Sequence, residues 1–83
     1  MKFSVASDYA YNATHKRDCV TVWSGQFCDT WEATGFSLPS GGYSLTLYGG
    51  EKVRVPCPSP RTQDNYQEVD AAISSAIAKA KGA

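Results

Sequence analysis

Tyr43-Ser44-Leu45-Thr46-Leu47-Tyr48-Gly49-Gly50-Glu51-Lys52-Val53-Arg54-Val55 holds two runs of alternating apolar residues on either side of a glycine pair. This is the pattern of two half-buried strands joined by a tight turn. The loop length decides the pairing. A two-residue Gly49-Gly50 loop would set Leu45 opposite Arg54 and Leu47 opposite Lys52, mixing core and solvent residues on both faces. A three-residue Tyr48-Gly49-Gly50 loop, with Gly50 left-handed at a bulge, pairs Tyr43 with Val55 and Leu45 with Val53. Lys52 and Arg54 then point outward. The three-residue turn is therefore predicted, and with it an antiparallel sheet that has one apolar face.

Toward the C-terminus, Pro56-Cys57-Pro58-Ser59-Pro60 cannot supply the donors a central ladder needs, so it ends the strand and forms a stiff connector. A helix follows over about 64–80. Asp64 and Gln67 are spaced as a capping box, and Tyr66, Val69, Ile73, Ala76, Ile77 and Ala80 recur along one helical face. Glu68 and Asp70 lie early, Lys79 and Lys81 late, and Gly82 stands where the helix is expected to stop.

Toward the N-terminus, Gly35, Pro39, Gly41 and Gly42 punctuate residues 33–42, which reads as a loop pinned by Phe36 and Leu38. Before it, residues 18–23 and 26–32 read as a hairpin across Ser24-Gly25. That register sets Val22 opposite Phe27 and Val20 opposite Asp29, with Val20, Val22, Phe27 and Trp31 on one face. Cys19, Thr21, Trp23, Cys28 and Thr30 fall on the other. Phe3, Val5, Tyr9 and Tyr11 alternate within 2–11 and give the first strand, followed by a polar turn over 12–18. With strands at 43–48 and 51–56, the expectation is one α+β domain over 1–83. It has an antiparallel sheet of about five short strands in two hairpins and one C-terminal amphipathic helix packed on it.

Eight basic and eight acidic residues give a formal net charge of zero, so no global field draws phosphate backbones or anionic lipid. Direct nucleic-acid binding is disfavoured on that ground. No run approaches the roughly 20 apolar residues of a membrane span, and no apolar export segment follows Met1. Three cysteines, an odd set without an export signal, are expected as reduced thiols in the cytoplasm.

His15, Cys19, Cys28 and Cys57 have the chemistry of zinc ligands, but none of them forms a close knuckle and convergence would depend on the fold. No metal and no cofactor are expected. A thiol nucleophile needs a nearby base that is itself oriented, and the one histidine lies in a polar turn beside Lys16 and Arg17. No enzyme is expected. Gly41-Gly42 and Gly49-Gly50 lack the strand-to-helix setting of a phosphate loop.

The suggestive feature is a set of aromatics near turns: Trp23, Phe36 and Tyr48. Such residues dominate binding hot spots because they desolvate much area at small entropic cost. With the outward Lys52 and Arg54 they form the expected partner-binding set. The expected function is a small non-enzymatic interaction module for a larger protein or nucleoprotein complex. An inhibitor of the kind that phages and mobile elements direct at host machinery, such as a CRISPR effector, would fit. The alternatives are a nucleic-acid binder with a local patch of Lys16, Arg17, Lys52, Arg54 and Arg61, and a zinc- or thiol-dependent protein. A homodimer through a strand edge or the alanine-rich helix flank is also open.

Overall fold

In a computed structural model that describes residues 3–27 and 29–82, the chain is an α+β domain. A five-stranded antiparallel sheet carries a long C-terminal helix, and a short helix follows the first strand. The strands are β1 (Phe3–Ser7), β2 (Cys19–Ser24), β3 (Thr30–Ser37), β4 (Tyr43–Leu47) and β5 (Lys52–Val55). The helices are α1 (Tyr9–His15) and α2 (Tyr66–Gly82). The sheet is a meander in the order β1-β2-β3-β4-β5.

The β4–β5 hairpin adopts the register derived above, with Tyr43 opposite Val55, Leu45 opposite Val53 and Gly50 at φ +92°. Leu47 N donates to Glu51 O at 2.8 Å and Gly50 N to Leu47 O at 2.8 Å, closing the three-residue turn. β1 is shorter than expected. It stops at Ser7 because Asp8 caps a helix, its carboxylate accepting from Tyr11 N at 3.0 Å, and Lys16 closes that helix in the left-handed region at φ +54°. Tyr9 and Tyr11 thus lie on α1, at 81% and 41% exposure.

The second and third strands depart most from expectation. The two-residue turn at Ser24-Gly25 is replaced by a longer connection, so that Ser24 pairs with Thr30 and Trp23 with Trp31. Val22 faces Ala33 rather than Phe27, and Val20 faces Gly35 rather than Asp29. Phe27 is 79% exposed in the connection. A bulge between Val22 and Trp23 leaves Glu32 unpaired in the ladder and brings its carboxylate to the helix side of the sheet. Half of the expected loop over 33–42 is strand, since β3 runs to Ser37. Only residues 38–42 turn, held by Leu38 N to Gly42 O and Gly41 N to Leu38 O, both 2.9 Å. Gly41 and Gly42 take φ +97° and +83°, which only glycine adopts without strain.

The core lies between α2 and one sheet face. Val20, Val22, Ala33, Tyr43, Leu45 and Val55 meet Val69, Ile73 and Ile77, all essentially inaccessible to solvent. Helix α2 touches both edge strands, β1 and β5. The expected capping box is not formed. Asn65 opens α2 instead: its carbonyl accepts from Val69 N at 3.0 Å and its side chain accepts from Thr62 N at 2.7 Å. Gln67 turns to the Tyr66 hydroxyl, and Gly82 is the last residue of the helix.

Two polar clusters fasten α2 and the connector. Tyr43 O–H donates to the Asp18 carboxylate, and Arg61 N donates to Asp18 at 3.0 Å. The Arg61 guanidinium bonds Asp70 at 2.7 and 3.1 Å, Ser7 Oγ at 3.3 Å and Val5 O at 3.2 Å, covering an edge of β1. At the other end Lys81 binds buried Glu32, which also accepts from Ser24 Oγ at 2.8 Å.

The Lys81 hydrogen bond, and after it that of Ser24, hold the Glu32 carboxyl below its ordinary value of 4.5, against the opposite pull of burial. Because the folded value is the lower one, its stabilisation is complete above the unfolded value. It is lost as pH falls through the folded one. The urea midpoint should therefore drop on acidification below about pH 4.5, and Glu32→Gln should make that drop shallower than in the parent chain. An equal drop in both would remove Glu32 from the acid sensitivity.

Candidate partner-binding surface

Strand pairing sorts the remaining side chains onto the sheet face turned away from α2. One row across the strands reads Ser4, Trp23, Trp31; the next reads Ala6, Thr21, Thr34, Thr46, Lys52; a third reads Cys19, Phe36, Ser44, Arg54. Just beyond β4, the Tyr48 and Trp31 rings meet in a T-shaped contact, with centroids 5.7 Å apart and planes at 67°. Tyr48 is 77% exposed. At the opposite end Arg17 stacks its guanidinium over Phe36 at 4.8 Å, and Arg54 donates to Ser40 Oγ at 3.1 Å.

The five residues picked out from sequence, Trp23, Phe36, Tyr48, Lys52 and Arg54, thus come together on one side of the sheet. Trp31 joins them, although the two-residue hairpin register had placed it on the Val20 and Val22 face. The bulge reverses its side. A readable signal was Glu32, because a carboxylate beside a core position needs a partner, and a shifted register supplies one in Lys81.

Among the described residues no strand position on this face is acidic, while Arg17, Lys52 and Arg54 supply positive charge. The face is locally basic on a chain of zero net charge. Asp8 stands near it, accepting from the Thr21 hydroxyl at 3.2 Å. Of the expected basic patch, Arg61 is drawn away to Asp70 on the helix side, while Lys16, which closes α1, lines a cleft with Arg17 beside Ser37 and Leu38.

The zinc candidates do not gather. His15 ends α1 and stacks on Tyr11 at 4.2 Å, Cys19 is buried in β2, Cys57 is half-buried in the connector, and Cys28 lies outside the described residues. Among the described residues no group of three His, Cys, Asp or Glu side chains is placed to hold a metal ion. Burial first, then nearby carboxylates, push the Cys19 thiol above its ordinary range, and burial followed by Glu68 does the same for Cys57. Both are therefore poor nucleophiles near neutral pH.

Fold and surface define a small meander-plus-helix domain with an aromatic, basic sheet face and no helix, among the described residues, long and apolar enough to cross a membrane. The chain matches no protein-family model, no curated protein and no solved structure.

Proposed function

We propose that this chain is a non-enzymatic protein-interaction module that covers a site on a larger partner with the sheet face opposite α2. The observation that carries it is the grouping of Trp23, Trp31, Phe36 and Tyr48 with Arg17, Lys52 and Arg54 on that single face. Aromatic and arginine side chains are the types that contribute most when an interface desolvates. In its finer form the module is an inhibitor, of the kind phages and mobile elements aim at host complexes such as CRISPR effectors. A cytoplasmic setting suits the unpaired, protonated Cys19 and Cys57.

Affinity purification from the native host at physiological salt, followed by calorimetry with the recovered protein, tests this. Trp23→Ala and Tyr48→Ala should each weaken binding by about 30-fold or more, the range of a hot-spot residue, with the fold unchanged. Full affinity in both variants would defeat the proposal. The lack of strand acids beside Arg17, Lys52 and Arg54 favours nucleic acid as the second candidate occupant. A strongly salt-dependent shift of labelled single strands, lost in Arg54→Ala, would move the assignment there.

A further inference from the structure

Where β3 runs on to Thr30 after β4 has turned away at Tyr48, a cavity of about 510 Å³ opens beside the last turn of α2. Trp31 and Tyr48 form an aromatic corner in it, their planes at 67°. Leu47 also lines it, and Asp29 and Glu51 are exposed there. Lys81, the cation of the lining, is tied to Glu32. Asp29 and Glu51 have no ion-pair partner among the described residues. The cavity therefore combines two aromatic rings with uncompensated negative charge, at the opposite end of the sheet from Arg17 and Arg54.

We infer that this corner receives an alkylammonium group, carried on a lysine side chain of the protein that docks on the sheet. Ring faces attract a cation held within about 6 Å of their centroids, tryptophan most strongly. The two carboxylates favour the same charge and oppose an anion. The site is open and continuous with the aromatic row through the Trp31–Trp23 pair. That suits a charge delivered on an apolar stem by a bound protein better than a free small molecule, which needs deeper enclosure. The source of the lysine rests on the proposed function; the chemistry of the corner does not.

The experiment uses n-butylammonium, the neutral 1-butanol and the anionic butyrate, titrated into the isotope-labelled full chain. The Trp31 indole N–H and the Tyr48 amide report, with the Arg54 amide as a distant reference. Butylammonium should give saturable shifts confined to the corner, at least about 5-fold tighter than 1-butanol, and butyrate none. The Asp29→Asn, Glu51→Gln double variant should keep a dispersed spectrum and lose the preference for the cation. Equal binding of alcohol and ammonium, or no saturation, would overturn the inference. A cation-selective corner on a chain whose Trp23→Ala and Tyr48→Ala variants keep full partner affinity would sink the docking proposal alone.

Discussion

Gly35→Ala should destabilise the domain by about 3 kcal/mol, read as a lower urea midpoint with an unchanged slope. Gly35 sits in the middle of β3, between Val20 of β2 and Leu45 of β4. A methyl there would lie 2.5 Å from Ser44 O, 2.5 Å from Leu45 Cδ2 and 3.1 Å from Leu45 Cα. Two of those three atoms are backbone of the paired strand, so relief requires the ladder itself to move. Tight interiors transmit such strain rather than absorb it. Gly49→Ala is the control: nothing lies within 4 Å of the added methyl, and its midpoint should stay within about 0.5 kcal/mol of the parent. Equal stability of the two variants would show that the strands have slack the close approach denies.

Arg61→Ala should cost roughly 2–4 kcal/mol, because the carboxylate it leaves behind is largely withdrawn from water. The paired side chains of Arg61 and Asp70 are 18% and 26% exposed. The same guanidinium satisfies Ser7 Oγ and Val5 O, so one truncation releases the connector, α2 and β1 together. Arg61→Lys should recover less than half of the loss, since a point charge cannot reproduce the planar fork that reaches three partners. A double-mutant cycle with Asp70→Asn separates the pair from the rest. Additive losses would mean that the ion pair is incidental to the fastening.

The β4–β5 register was legible because Lys52 and Arg54 tolerate only one side of a sheet, and α2 because Val69, Ile73 and Ile77 hold helical spacing. β3 was hidden for a specific reason. Gly35 reads as punctuation in a sequence, yet here its missing side chain is what lets two strands approach. The bulge left a partial signal in Glu32, a carboxylate among core positions, but its partner Lys81 lies 49 positions away, beyond the reach of local pattern. Tyr9 and Tyr11 imitated strand alternation, and the competing signal was Asp8, a helix cap immediately before them. Gathering the aromatic surface needed only residue type and turn position for Trp23, Phe36 and Tyr48. Trp31 needed the true register.

The meander has a kinetic corollary. Each strand finds its partner next along the chain, so the sheet can grow by closing short loops, whose entropic penalty is small. Among the described residues, one closure between elements spans nearly the full chain: the last helix reaching the first strand. Search time and cooperativity in folding therefore converge on that final docking, with Arg61 as its latch.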